Sequence, residues 1–229
     1  MTPTEGLPRL AQRAVETIED GSVVGLGSGR AANAFTRALA QRVQSGLRIR
    51  GVPTSKATEQ LAASLGIPVV APDEVERIDV DVDGADEVDP HGNLIKGRGG
   101  ALVREKIVAH MARRLVILVQ AEKLVATLGE HGLLPVEVVP FGAAWCGRRL
   151  LELGVGADLR QADGQPVTTD NGNYLLDCRI GRLENPLQFE RSVRAIAGVV
   201  DTGLFLGLSP TVFVQDGEQI GVLQPAADR

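Results

Sequence analysis

The stretch Ser22–Val52, SVVGLGSGRAANAFTRALAQRVQSGLRIRGV, holds one complete strand–helix–strand repeat. SVVGLG (22–27) is a short apolar run and reads as a buried strand. The glycines of GLGSGRA (25–31) then turn the chain into a helix running from about Arg30 to Gln44. LRIRGV (47–52) reads as the next strand. A strand joined to its successor by a helix of this length is a βαβ unit, and its strands lie parallel.

The same rhythm extends to both sides. Residues 7–19 read as an amphipathic helix. Ser55 to Leu65 reads as a helix with Ser55 at its N-cap, stopped by Gly66. IPVV (67–70) is expected to be a short strand. Ile78, Val80 and Val82 alternate with Asp79, Asp81 and Asp83 and give another. A helix from about Ala101 to Arg114 leads into the apolar strand LVILV (115–119).

After Gly129 the pattern changes. VEVVPF (136–141) reads as a strand, AAWCGRRLLELG (143–154) as a helix and ADLRQ (157–161) as a weak strand. VTT (167–169) and YLLDCRI (174–180) flank Asp170-Asn171-Gly172-Asn173, and Asn-Gly between apolar runs is a hairpin signal. PLQFERSVRAIAG (186–198) is a helix with proline near its start and glycine after its end. Val199 to Thr202 begins a further strand. The order is β-α-β-β-α-β, a ferredoxin-like arrangement. The tail TVFVQDGEQIGVL (211–223) reads as a hairpin around Asp216-Gly217.

Composition narrows the function classes. The chain has 229 residues, 44% hydrophobic and 23% charged, a globular balance. No apolar run reaches the ~18 residues that span a bilayer, so no membrane partner is expected. The first residues lack the basic start and apolar centre of a secretory signal, and the expected compartment is the cytoplasm. A net charge of −5 argues against nucleic acid as the main partner. With aromatics at 3%, a base-stacking or sugar-stacking platform is not expected either. Cys146 and Cys178 form no CxxC and are expected as buried, reduced thiols. His91, His110 and His131 are far apart and match no metal motif, so no metal is expected.

Two segments carry chemistry. GLGSGRA follows a strand and opens a helix, where free N–H groups and glycine backbone suit an anion. A dinucleotide site would need glycine where Arg30 stands and an acid after Gly51-Val52-Pro53-Thr54. A P-loop would need Gly-Lys-Ser/Thr. Two readings remain: a tight strand–helix turn, or a phosphosugar contact through Ser28, the backbone of 27–31 and Arg30.

The second segment is Asp79–Gly100, DVDVDGADEVDPHGNLIKGRGG, acidic at first and basic and glycine-rich at its end. Ligands of open α/β sheets sit beyond the carboxyl ends of the strands, where Asp83, Gly84, Ala85 and Asp86 fall. Lys96 to Gly100 directly precedes a helix that carries Glu105 about one turn in, and helical side chains lean toward the N-terminus. Asp79 and Asp81 are expected on a solvated strand face. Asp83 and Asp86 could cap the turn or hold sugar hydroxyls. Glu105 could be a surface acid or a proton carrier between adjacent carbons, with Lys96 stabilising the oxyanion. The residues alone reach as far as acid–base chemistry on a small phosphorylated polyol, without metal.

VDGADEVDP…NLIKGRGGALVREK resembles the signature of type A ribose-5-phosphate isomerases. GLGSG, VPTSKAT, SLGIPV, LPVEVVPF, TDNGN and GVVDTGLF agree in order, so the resemblance covers nearly the whole chain. It implies interconversion of ribose 5-phosphate and ribulose 5-phosphate in the pentose phosphate pathway, with no cofactor. It implies an α/β fold: a Rossmann-like parallel-sheet domain with a smaller ferredoxin-like α+β domain, assembled as a homodimer or homotetramer. The expected division is 1–130 plus about 204–229 for the first, and about 131–203 for the second. Carried over, the proton acceptor falls on Glu105 and the sugar-contacting acids on Asp83 and Asp86. The enediolate-holding lysine falls on Lys96, and a second substrate lysine on Lys123. The phosphate loop falls on Ser28, Gly29, Arg30 and Ala31. Gly84, Ala85, Gly97, Arg98 and Gly99 complete the expected substrate contacts.

The loop departs from the family pattern. GTGST followed by alanine is usual, and here the chain reads GSGRA. Ser28 keeps a hydroxyl, while Arg30 and Ala31 replace a Ser-Thr pair. A lysine often found in the first helix is also missing, with Leu7 and Pro8 at that place and Arg9 nearest. The phosphate contacts are expected to be rebuilt around arginine. The competing readings are an isomerase of another sugar phosphate and a non-catalytic phosphosugar sensor. A sensor would have no need for Glu105 and Lys96 together.

Overall fold

In the computed structural model, residues 7–224 are described. The first six and last five residues of the expected domain ranges lie outside them. In chain order the elements are α1 (Leu7–Val15), β1 (Val23–Leu26), α2 (Arg30–Gln44), β2 (Arg50–Pro53), α3 (Lys56–Ser64), β3 (Val80–Gly84), β4 (Glu87–Val88), β5 (Leu94–Ile95), α4 (Leu102–Met111), β6 (Leu115–Gln120) and β7 (Leu133–Val138). There follow α5 (Ala143–Glu152), β8 (Gly156–Leu159), β9 (Gln161–Ala162), β10 (Gln165–Pro166), β11 (Tyr174–Arg179), α6 (Pro186–Arg194), β12 (Val199–Thr202), β13 (Leu204–Phe205), β14 (Thr211–Asp216) and β15 (Gln219–Leu223).

The described residues form two compact units, one of residues 7–85, 104–124 and 208–224, the other of 86–103 and 125–207. In the first, a six-stranded sheet has the order β15-β14-β6-β3-β1-β2. All its neighbours pair in parallel except the terminal hairpin β14–β15. Leu7, Leu10, Ala11, Ala14 and Val15 recur every three or four residues along α1 and are buried, the spacing of a single helical face. They join Phe35 and Leu39 of α2 and Val80 and Val82 of β3 in one core. Ser55 caps α3 by accepting the Thr58 N–H at 3.1 Å.

Two expectations change here. Asp81 is not on a solvated face: it is 1% exposed. β3 is an interior strand whose Val80 and Val82 pack with α1 and α2, while the face of Asp81 is covered by α4, as in parallel sheets generally. Gly25 makes the room, since a Cβ there would lie 2.7 Å from Val108 of α4 and 2.5 Å from the Asp81 carboxylate. Asp79, half-buried, accepts the Val23 N–H at 2.8 Å. The segment 67–70 forms only an isolated bridge, Gly51 to Val69. Pro68 has no N–H to extend a ladder.

In the second unit the sheet order is β12-β7-β11-β8, with antiparallel pairing throughout. With α5 between β7 and β8 and α6 between β11 and β12, this is the β-α-β-β-α-β arrangement. Leu134, Val136 and Val138 of β7 and Leu176 and Cys178 of β11 share a core with Cys146 and Leu150 of α5 and Val193 of α6. The alternation of strands leaves Pro135, Glu137, Leu175 and Asp177 on the opposite face. Both cysteines are free and buried. α6 starts as its sequence indicates, with Asn185 accepting the Gln188 N–H at 3.0 Å and Pro186 in first position.

VTT is not a strand. Thr168 makes a single bridge to Tyr174, because Thr169 turns back to its own loop. An unexpected small hairpin, β9–β10, turns at Asp163 and Gly164, both at positive φ (52° and 75°). That is the backbone a two-residue hairpin loop requires. A second small sheet, β13-β5-β4, was also not foreseen, being built from two-residue strands.

Candidate active site

Within the parallel-sheet unit, β1, β2, β3 and β6 run the same way, so their carboxyl ends share one edge of the sheet. The loops leaving that edge are 27–29, 54–55, the end of β3 and the short turn Ala121–Lys123. The connection from β3 to β6 passes through α4, whose first turn carries Glu105. Asp83 is 1% and Glu105 4% exposed. Lys123 ends the turn after β6 and is half-buried.

The glycine loop is fastened to β3. Asp83 Oδ1 accepts the N–H of Ser28 at 3.1 Å and of Gly84 at 2.7 Å. A Cβ at Gly27 would overlap the Asp83 carboxylate, so the approach requires glycine. Gly29 stands at φ 90° as the N-cap of α2 and offers no side-chain cap. Arg30 and Gly29 are exposed, Ala31 half-buried, with Ala31 Cβ packing toward Gly84. The Ser28 hydroxyl bonds to Thr54, Ser55 and Thr58 at 2.8, 2.9 and 3.3 Å. Thr58 in turn donates to the Gly27 carbonyl at 3.1 Å. This hydroxyl cluster was missed as a unit, although its residues sit in VPTSKAT. Strand pairing of β1 with β2 is what brings them to Ser28.

The second unit carries Asp86, Lys96 and the turn 97–100. Asp86 is bonded to that turn: its Oδ2 accepts the Arg98 N–H at 3.1 Å, and its Oδ1 lies 3.8 Å from Arg98 Nε. Lys96 is 4% exposed. Its N–H donates to the Gly203 carbonyl at 2.9 Å. Its ammonium lies 5.4 Å from the centre of the buried Phe205 ring, within cation–π range. Gly97 and Gly100 take φ of 108° and 83°, and Gly100 N–H closes the turn on Gly97 O at 3.0 Å. Gly99, like Arg98, is exposed. The Phe205 contact was not read from sequence because 109 positions of chain separate it from Lys96.

Among the described residues no group of three or more His, Cys, Asp or Glu is placed to hold a metal ion. No helix among them is long and apolar enough to cross a membrane.

The family model of ribose 5-phosphate isomerase A (phosphoriboisomerase A) matches residues 50–219. The chain belongs to this family. Ribose-5-phosphate isomerase A of Thermomicrobium roseum is 50% identical over 216 residues, 93% of this chain and 90% of that one. Its counterpart in Gloeobacter violaceus is 50% identical over 219 residues, 95% of each chain. A solved D-ribose-5-phosphate isomerase in complex with phospho-erythronic acid superposes with a TM-score of 0.94 at 38% identity, covering 98% of this chain and all of that one. The ribose 5-phosphate isomerase of Plasmodium falciparum gives 0.92 at 31% identity, over 96% and 98%. The α/β architecture with a central parallel sheet is therefore that of ribose 5-phosphate isomerase A. The Ser28–Ala31 loop of this isomerase has Gly29 at φ 90° and presents arginine at the start of α2.

Proposed function

We infer that this chain, as a ribose 5-phosphate isomerase A, interconverts D-ribose 5-phosphate and D-ribulose 5-phosphate, and that Glu105 carries the proton. It is an aldose–ketose isomerase of the pentose phosphate pathway. The observation that carries the assignment is the burial of Glu105 and Asp83 at the sheet edge where α2 starts without a side-chain cap. Starting from the open-chain aldose, Glu105 removes the C2 proton. The C–H electron pair becomes the C1–C2 double bond, and the carbonyl pair moves onto O1. Lys96 stabilises that oxyanion. Glu105 then returns the proton to C1 while the O2 proton passes to O1, so that O2 becomes the ketone and O1 the hydroxyl. Asp83 assists ring opening and holds a hydroxyl, Asp86 orders the 97–99 turn against the sugar, and Lys123 adds a second cation.

The phosphate is assigned to the start of α2. Arg30 lies in the first turn, where a cation opposes the helix dipole. A bound phosphate reverses that penalty, since it meets both the helix N–H groups and the guanidinium. Ser28 holds the loop in place rather than the phosphate, its N–H going to Asp83 and its hydroxyl to Thr54, Ser55 and Thr58, so the phosphate is left to Arg30 and the N–H groups that open α2. The phospho-erythronic acid bound by the solved relative fits the same chemistry, because its planar carboxylate resembles an enediolate. No organic cofactor is needed for any of these steps.

The assembly we propose is a homodimer or homotetramer in the cytoplasm. Phe141 is fully exposed and Trp145 is 47% exposed on the second unit, an apolar surface suited to another copy of the chain. The exchange of hydroxyls for Arg30 keeps one alternative in play, isomerisation of a different sugar phosphate. EDTA-treated protein should turn over ribose 5-phosphate faster than other pentose and hexose phosphates. Higher kcat/KM on another phosphosugar would move the substrate. No turnover of any would favour a sensor.

A further inference from the structure

Lys96 is followed by a turn whose carbonyls are held from below. Arg160, just after β8, directs one terminal nitrogen, Nη1, to two successive carbonyls, Gly97 O at 3.1 Å and Arg98 O at 3.0 Å. Its other two nitrogens go to Asp177 of β11: Nε donates to Oδ2 at 2.9 Å, and Nη2 donates to Oδ1. The side chains are 15% and 23% exposed, so the pair is largely shielded. The backbone of Arg160 is pinned too, donating to Leu175 O at 2.8 Å and accepting from Val167 N–H at 2.9 Å. All these residues belong to the second unit.

On the other side of Lys96 the backbone is held by Gly203. Its carbonyl takes the Lys96 N–H, and its own N–H donates to Pro135 O at 2.7 Å. A Cβ on Gly203 would overlap the Lys96 carbonyl. Lys96 thus stands between two anchors, one on its own amide and one on the carbonyls of the next two residues. A glycine turn with two positive-φ residues has little stiffness of its own. The direction of the lysine side chain depends on what fixes the turn.

We propose that Arg160 and Asp177 are positioning residues for isomerisation: the carboxylate orients the guanidinium, and the guanidinium fixes the turn that aims Lys96. The planar fork of arginine is required, since a lysine ammonium offers no geometry that serves both carbonyls and both carboxylate oxygens. Displacement of a catalytic group by about 1 Å costs on the order of 10²-fold in rate.

The inference rests on Lys96 acting in catalysis, and the experiment separates the two. Kinetics of ribose 5-phosphate isomerisation are measured for Arg160→Met, Arg160→Lys, Asp177→Asn and Lys96→Met, and for Arg160→Met combined with Lys96→Met. The expected result is a fall in kcat of about 10- to 100-fold for Arg160→Met and Asp177→Asn, partial recovery in Arg160→Lys, and KM within about threefold of wild type. In the Lys96→Met background the Arg160 change should cost markedly less, because only the turn's own contact with the sugar is then left to disturb. Equal losses in both backgrounds, or wild-type kcat in Asp177→Asn, would overturn the proposal. Full activity in Lys96→Met would instead overturn the role of Lys96. Should Arg160→Met not fold, Asp177→Asn with the same double-mutant comparison decides.

Discussion

Asp83 Oδ1 accepts the backbone N–H of Ser28 at 3.1 Å and that of Gly84 at 2.7 Å, so one oxygen ties the end of β3 to the glycine loop after β1. The acid we assign to sugar hydroxyls also sets the loop we assign to the phosphate. The turn-capping and substrate readings of Asp83 are therefore two uses of one carboxylate. Asparagine keeps an acceptor oxygen at that place, and alanine does not. Asp83→Asn should fold normally and lose about 10²-fold in kcat, with KM little changed. Asp83→Ala should lose kcat and also raise KM, through the loosened loop. Steady-state kinetics beside thermal melts check this, and identical KM in the two variants would disconnect the loop from Asp83.

Arg30 distinguishes this loop from the usual family pattern. If it replaces the missing hydroxyl contacts, Arg30→Ala should raise KM by about tenfold or more, as expected when a hydrogen bond to a charged group is lost. kcat at saturation should stay near wild type, because the phosphate does not react. A competition assay with inorganic phosphate should show the same weakening. Unchanged KM and unchanged phosphate inhibition would remove Arg30 from the site.

Gly203 was legible only as part of GVVDTGLF. Its reason is steric: the Lys96 carbonyl occupies the place of a Cβ. Gly203→Ala should destabilise by about 1–3 kcal/mol, the usual cost of overpacking, and lower kcat by shifting Lys96. A urea titration and an initial-rate assay suffice. A variant as stable and active as wild type would mean that the two backbones can separate freely.

Cys178 offers a pH test of the second unit's core. Burial, with a smaller contribution from the charge of Asp177, pushes its thiol from the ordinary 9.0 up to about 12. The folded chain then keeps a proton that the unfolded chain releases. This contribution to stability is complete below pH 9 and is lost as pH rises from 9 through about 12. Urea midpoints should fall more steeply between pH 8 and 10.5 in wild type than in Cys178→Ala. Parallel slopes would show that the thiol titrates normally.

What could be read from sequence was what is local. Alternation and helix spacing located β1, β3, β6, β7, β11 and the helices between them, and Pro186 marked the start of α6. The glycine loop and the segment from Asp83 to Glu105 were readable for the same reason, since each is a continuous run with distinctive chemistry. Contacts made by distant residues were not readable. Asp81 was placed on a solvated face because alternation cannot tell a central strand from an edge strand. The Arg160–Asp177 pair gave no signal, because an arginine beside a weak strand usually faces water, and the contact of Phe205 with Lys96 joins distant parts of the chain. IPVV and VTT had strand composition but stayed as single bridges, the first interrupted by Pro68 and the second by the loop that begins at Thr169.

The central claim is that the buried Glu105 moves the proton between C2 and C1. Its most direct measurement is turnover of ribose 5-phosphate by Glu105→Gln beside wild type, with deuterium uptake at C1 of the ketose followed in D2O. The account predicts a fall in kcat of about 10²–10⁴-fold, KM near wild type, an unchanged melt, and deuterium uptake lost in step with turnover. A Glu105→Gln enzyme that still turns over and exchanges at the wild-type rate would contradict it.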